Sequence, residues 1–318
     1  MQLSVIFHPF TWRIKYHTSA DGKRKYLLDM EAKLKWIYEK GKNDKKNFNF
    51  IKAQPLSWKD YELAHNKKYV EKIRTGVKSE IKKYSWITWS KSFVRAQPYA
   101  GGILYDAAKK ALGEGISAAL MVEGHHAGYD HGSGFCTFNH LAVVVKKLLN
   151  EKVISRVAIV DLDYHLGDGT VELLSEVKGV RIFDMYGGLH KSAKLNANKQ
   201  KTVVQKKINK GWNQYKQTLE KELPKFLNKG KPNLIFYVAG GDIFQEDRYG
   251  GIAGTGLDEI SYRDRYVFKE ARKRSIPIVL SVGGGYVKYT GNTEKDEAKR
   301  MELTNLHINT LLEASHLL

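Results

Sequence analysis

Cysteine is nearly absent from this chain of 318 residues: Cys136 stands alone, which excludes an intramolecular disulfide framework and any four-cysteine zinc module. Proline is scarce too, at six, and with 28 glycines this rules out a collagen-like or proline-rich linker protein. No apolar run approaches the roughly 18 residues needed to cross a bilayer. The start, Met1-Gln2-Leu3-Ser4-Val5-Ile6-Phe7-His8-Pro9, has neither a basic n-region nor a long apolar h-region. The expectation is a soluble protein made without a Sec-type signal, cytoplasmic or nuclear, with no membrane contact. Acidic side chains are the minority, 34 against 53 Lys and Arg, for a formal net charge of +19. The 42% hydrophobic content is ample for a buried core and disfavours intrinsic disorder.

The charge is concentrated: residues 1–100 hold 22 basic and 9 acidic side chains. The densest stretches are Lys40-Gly41-Lys42-Asn43-Asp44-Lys45-Lys46 and residues 199–207. They read either as solvated faces or as contacts to nucleic acid or another anionic surface. Tyr84, Trp86, Trp89 and Phe93 fit base stacking or core packing equally, and no zinc-finger, homeodomain or RNA-recognition signature accompanies them.

Short apolar runs alternate with longer segments of helical period, the pattern of a parallel sheet covered on both faces. Strands are expected at 3–7, 118–122, 157–161, 180–184, 234–239 and 277–282. Helices are expected near 24–40, 58–75, 101–112, 139–150, 169–177, 205–227, 261–274 and 301–318. Without an internal repeat or a low-complexity linker, residues 1–318 read as a single three-layer α/β/α domain around a central, mostly parallel sheet. In such sheets ligands bind beyond the carboxyl ends of the strands. Four of these ends are unusually polar: Glu123-Gly124-His125-His126, Asp161-Leu162-Asp163-Tyr164-His165-Leu166-Gly167-Asp168-Gly169, Gly240-Gly241-Asp242 and Gly283-Gly284-Gly285-Tyr286.

Taken singly, a His pair, an Asp-x-Asp turn or a glycine run is more often a structural device. Together they gather carboxylates and imidazoles whose burial costs several kcal/mol per unpaired charge unless a metal or mutual pairing compensates. Zinc-assisted amide hydrolysis uses such a set: three N or O ligands and one open position. Asp163 and His165, two residues apart past one strand, and Asp242 past another, make a two-carboxylate, one-histidine site. There is no His-Glu-x-x-His, no Gly-x-Ser-x-Gly elbow and no Walker loop, and the glycines at 251–256 do not match the dinucleotide fingerprint.

These segments, with Gly101-Gly102-Ile103, Gly132-Ser133-Gly134-Phe135-Cys136-Thr137-Phe138-Asn139 and Asp247-Arg248-Tyr249-Gly250, resemble the zinc-dependent histone deacetylase family of the arginase/deacetylase fold. The ordered set spans residues 95–310; before it the similarity is faint. The resemblance implies that Asp163, His165 and Asp242 bind zinc and that Asp161 pairs with His125 and Asp168 with His126. It makes His126 the general base, His125 mainly electrostatic, and Tyr286 a hydrogen-bond donor to the acetyl carbonyl. Gly134 and Phe135 would line the channel for the lysyl methylenes. A structural K+ or Na+ would sit at Asp161, Asp163, His165 and, where a serine is usual, Asp184. Cys136 reads as a small buried residue, and His131 and His140 as surface or structural histidines.

Departures from the family pattern are Leu166 in place of a second histidine, Glu123 in place of a small residue, and Tyr186 where a histidine is common. Residues 187–207 lack phenylalanine, so no second aromatic channel wall is legible. The implied activity is hydrolysis of N6-acetyl-lysine in proteins, histone tails among them. The alternatives are an amidohydrolase of acetylpolyamines or other small acetyl amides, and a chromatin- or nucleic-acid-binding module on this scaffold. An arginase-like dimetal site is disfavoured, because Asp161-Leu162-Asp163-Tyr164-His165 is not the Asp-x-His-x-Asp such a site uses. A basic N-terminal third contacting nucleosomal DNA is compatible with an active enzyme.

Overall fold

All six expected strands form: β1 (Leu3–Phe7), β3 (Ile116–Ala119), β4 (Val157–Asp161), β5 (Val180–Tyr186), β7 (Leu234–Val238) and β8 (Ile278–Ser281). The structure is a computed structural model, and it describes residues 1–12, 30–76, 89–190 and 201–318. Two further strands, β2 (Phe48–Lys52) and β6 (Val203–Lys207), form the edges of one sheet ordered β2-β1-β3-β8-β7-β4-β5-β6, in which every described pairing is parallel. Both edges are half-exposed and end in lysine, so neither presents the apolar run that marks a strand covered on two faces. Strand β6 also corrects the helix expected from 205, which begins only at Gly211.

Among the described residues the α-helices are α1 (Met30–Gly41), α2 (Trp58–Tyr61), α3 (Lys67–Thr75), α4 (Lys91–Glu114), α5 (His140–Asn150), α6 (Asp168–Leu174), α7 (Gly211–Gly230), α8 (Leu257–Lys273) and α9 (Thr293–Ser315). The single helix expected over 58–75 is two, because a second capping residue interrupts it: Asn66 accepts the Lys68 N–H at 2.8 Å and restarts the chain as α3. Helix α4 starts ten residues before the expected 101, capped by Ser90, and runs through Pro98. The first part of the expected helix 24–40, together with Tyr84, Trp86 and residues 199–200, lies outside the described residues. Of the remaining aromatics, Phe93 is buried in the core and the Trp89 indole donates to the Ile73 carbonyl at 2.8 Å, so both serve packing.

Strand side chains alternate between two cores. Val157 and Ile159 of β4 join the layer of α2 to α6, whereas Ala158 and Val160 join the layer of α1, α7, α8 and α9. Both faces of the sheet are therefore covered, which gives the three layers. The four polar strand ends belong to β3, β8, β7 and β4, four consecutive neighbours at the centre of the sheet. Sequence order scatters them over residues 123–286, and sheet order gathers them along one rim.

Candidate active site

The ligand-type side chains converge where β4 and β7 end. His165 Nδ1 lies 2.9 Å from Asp242 Oδ2 and 3.5 Å from Asp163 Oδ1. Backbone amides hold the carboxylates: Gly284 N–H donates to Asp163 Oδ2 at 2.9 Å, Tyr164 N–H to Asp242 Oδ1 at 2.9 Å, and His165 N–H to Asp163 Oδ1 at 3.0 Å. Glycine is required at 284, since a Cβ there would stand 2.5 Å from Asp163 Oδ2 and 2.6 Å from Asp242 Oδ2. Asp163 and Asp242 are both buried. Burial, and next the Asp163 carboxylate, push Asp242 up to about 6. Two buried carboxylates and one imidazole with their ligand atoms within 4.8 Å of one another fit a divalent zinc ion in charge, donor type and spacing.

Beside them stand two His–Asp pairs. His125 Nδ1 is 2.9 Å from Asp161 Oδ2 and its Nε2 is 3.7 Å from Asp163 Oδ1. His126 Nδ1 is 3.0 Å from Asp168 Oδ1. The rings are neighbours, with centroids 4.0 Å apart, yet their environments drive them in opposite directions. Burial alone would lower His125, but Asp161 and Asp163 flank both its nitrogens and hold it well above the usual imidazole range. Burial, reinforced by the His125 charge, lowers His126 to about 3. The two rings are thus pushed apart in proton affinity, His125 toward the imidazolium and His126 toward the neutral imidazole. With Nδ1–H of His126 committed to Asp168, its Nε2 carries the free lone pair.

Gly134, at φ 51°, passes so close to His126 that a Cβ would meet the ring's Cδ2 at 2.3 Å. Phe135 follows at φ 67°, an uncommon conformation for a bulky residue, and presents its half-buried ring to Tyr249 at 6.0 Å and Tyr286 at 6.4 Å. Tyr249 and Tyr286 are themselves 5.1 Å apart, edge to face. Tyr249 is therefore an aromatic partner of Phe135 that the sequence did not single out, although it lies inside the Asp247-Arg248-Tyr249-Gly250 segment. Tyr286 is held by its own N–H, which donates to Asp247 Oδ2 at 2.6 Å. Burial and then the Asp163 and Asp242 charges keep its phenol protonated, well above the ordinary range.

Further residues had weak sequence signals or none. Lys33 is fully buried beneath the glycine turn, donates to the Gly283 carbonyl at 2.5 Å, and is lowered by burial to about 8. It sits one residue before Leu34 and four before Ile37, on the inward stripe of α1, and only that position sets it apart from the many exposed lysines. Arg263 of α8, also fully buried, donates from Nη1 to the carbonyls of Gly240 at 2.6 Å and Leu162 at 3.3 Å, which ties together the two loops that carry Asp163, His165 and Asp242. His190 lies 3.1 and 3.2 Å from the two oxygens of Asp168.

The remaining expected residues fall as follows. Asp184 is buried in register with Asp161; Gly167 N–H donates to its Oδ2 at 3.1 Å, while its Oδ1 has no hydrogen-bond partner among the described residues. Glu123 is buried, accepts the Ser281 hydroxyl at 3.0 Å, and is pushed by burial up to about 7. Cys136 is buried and its thiol is raised to about 12 by burial. His131 pairs with Asp130 at the surface, and His140 is buried 3.0 Å from the Tyr61 hydroxyl.

Residues 28–299 match the family model described as a histone deacetylase domain. An uncharacterised protein of Picosynechococcus sp. is 31% identical over 230 residues, covering 71% of this chain and 75% of its own. Histone deacetylase 2 of Arabidopsis thaliana is 27% identical over 261 residues, covering 78% and 66%. Among solved structures, acetylpolyamine aminohydrolase from Burkholderia pseudomallei superposes with a TM-score of 0.76 at 16% identity over 98% of this chain and 99% of its own. The HDA15 HD domain gives 0.74 at 18% over 99% and 95%. These two likenesses establish the shared fold.

Proposed function

The chain belongs to the histone deacetylase family, and from that premise we propose that it hydrolyses the acetyl amide of N6-acetyl-lysine in proteins to lysine and acetate. The observation that carries the reading is geometric: two adjacent imidazoles, each paired through Nδ1 with its own carboxylate, stand beside a three-ligand cluster. Asp163, His165 and Asp242 would hold zinc, which when bound supplies Lewis acidity toward the amide carbonyl and lowers the pKa of water. Every other role falls to side chains of this protein. Neutral His126 takes a proton from the attacking water at Nε2, with Asp168 stabilising the imidazolium that results. The C–O bond forms, the C–N bond breaks, and the same proton passes from His126 to the departing lysine amine. His125, whose proton affinity Asp161 and Asp163 raise, would add positive potential near the developing oxyanion, and the Tyr286 hydroxyl would donate a hydrogen bond to it. Gly134 and Phe135, with Tyr249, fit a channel for an unbranched lysyl chain.

The orphaned Oδ1 of Asp184 beside the Asp161 carboxylate supports a K+ or Na+ at Asp161, Asp163, His165 and Asp184. Acetylpolyamines are the second substrate class, since an enzyme named for them shares the fold. The +19 charge disfavours a cationic small substrate at long range and suits an electrostatic contact of the basic N-terminal third with nucleosomal DNA.

The test is turnover by zinc-reconstituted protein on acetylated histone-tail peptides and on acetylpolyamines. Peptide hydrolysis is expected, with a loss of about a hundredfold or more in His126→Ala and Tyr286→Phe. Asp242→Ala should lose both activity and bound zinc, the latter read by elemental analysis. Activity on acetylpolyamines alone would transfer the assignment to the small-amide class, and full activity after chelation would remove the metal from it.

A further inference from the structure

Asp168 is gripped from two sides. His126 Nδ1 meets Oδ1 at 3.0 Å, and His190 Nε2 lies 3.1 Å from Oδ1 and 3.2 Å from Oδ2, astride the same carboxylate. The His190 ring also packs edge to face on His126, centroids 4.1 Å apart, with only 11% of its side chain exposed. Its arrival is fixed by the backbone: the N–H groups of Gly187 and Gly188 donate to the Tyr164 carbonyl at 2.8 and 3.1 Å, and Leu166 N–H donates to the Gly188 carbonyl at 3.1 Å. The segment after β5 is thereby stitched to the loop between Asp163 and Asp168, and His190 follows two residues later.

We propose that His190 is a positioning residue for the general base, locking Asp168 and the plane of the His126 ring. The assignment rests on the deacetylase reading above. A carboxylate on an sp³–sp² torsion has a broad rotational well. With the His190 contact removed, one restraint on that torsion is lost, and Asp168 and the imidazole can swing together and displace Nε2 from the line of proton transfer. A second donor astride both oxygens removes the carboxylate's rotation, and the ring contact removes the imidazole's tilt. Preorganisation of this kind acts on the reacting geometry rather than on substrate binding. The contacts of His190 to Asp168 and His126 act on the general base, so its removal should lower kcat and spare KM.

The test compares His190→Ala, His190→Leu and His190→Gln in the zinc-reconstituted protein. Glutamine can place an amide N–H where Nε2 stands; alanine and leucine cannot. The expected result is a loss of kcat of about tenfold in the alanine and leucine variants, with KM within about twofold, and recovery of most of kcat in the glutamine variant. A second readout needs no activity: the Nδ1–H proton of His126, followed by NMR on histidine-labelled protein, should exchange faster with water in the alanine variant and be restored in the glutamine variant. Unchanged kcat and unchanged exchange in the alanine and leucine variants overturn the proposal. Equal losses in all three variants, tracking a common drop in thermal stability, overturn it as well, because they mark a general structural role. If the parent protein hydrolyses no acetyl-lysine yet the exchange effect follows the amide donor, the deacetylase reading fails and the lock on His126 stands.

Discussion

His65 is compelled to be neutral in the folded chain: Nδ1 donates to the Gly128 carbonyl at 2.9 Å while Nε2 accepts the Asn139 N–H at 3.0 Å, so the two ends of the segment bearing Gly134 and Phe135 hang on one imidazole. Burial lowers it to about 4. The unfolded chain binds this proton near the ordinary value of 6.5 and the folded chain does not until about 4, so stability falls as pH drops through that window, by about 2 kcal/mol at pH 5 from this group. Urea midpoints should decrease from pH 7 to pH 5, and the decrease should be shallower in His65→Gln. Glu123 acts with the opposite sign. Its folded value of about 7 exceeds the unfolded 4.5, so the folded state holds the extra proton and stability falls as pH rises through 7. Metal-free Glu123→Gln should match the parent at pH 5 and exceed it by about 1–3 kcal/mol at pH 8 in urea denaturation.

Among the elements, α1 and α8 act on the site from opposite ends of the sequence. Helix α8 contributes Arg263, whose Nε donates to Asp264 Oδ1 at 2.8 Å, while Asp264 also accepts from the hydroxyls of Tyr237 and Thr310. This fully buried cluster lies under the carbonyls of Leu162 and Gly240, directly beside Asp163 and Asp242. Arg263→Met leaves a buried carboxylate without its cation and should cost about 3–5 kcal/mol. Because the ligand loops lose a shared anchor, zinc affinity should fall with stability, measurable by competition with a chromophoric chelator. Helix α1 contributes Lys33, which fastens the Gly283-Gly284-Gly285 turn ahead of Tyr286 from a region that carries no motif.

Over the whole molecule the dominant physical fact is the charge of +19. Exposed lysines at 40, 42, 45 and 46 lie just past and at the end of α1, and among them Lys42 pairs with Glu39. If this face meets nucleosomal DNA, binding should weaken steeply from about 25 to 150 mM salt, as counterion release demands. Fluorescence anisotropy with labelled mononucleosomes measures it, and no binding at the low-salt end would dispose of the contact.

The sequence by itself determined the strands buried on both faces and the chemistry at their ends, because each is written in contiguous residues: an apolar run followed by Asp, His or Gly. It could not reveal β2 and β6, since an edge strand is covered on fewer sides and needs no apolar run. Nor could it separate α2 from α3 without weighing Asn66 as a cap against the helical period around it. The pairings of His125 with Asp161 and His126 with Asp168 were legible through resemblance, and the distances agree with them. Only the tertiary structure decided that the proton affinity of His125 is raised and that of His126 lowered, because that split depends on Asp163 reaching the far nitrogen of His125 and on the burial of both rings. The placements of Lys33, His65, His190 and Arg263 were decided the same way. Each acts through backbone carbonyls, amides or a carboxylate supplied by distant segments, and a hydrogen bond to a remote main-chain atom leaves no mark on the local pattern of residues.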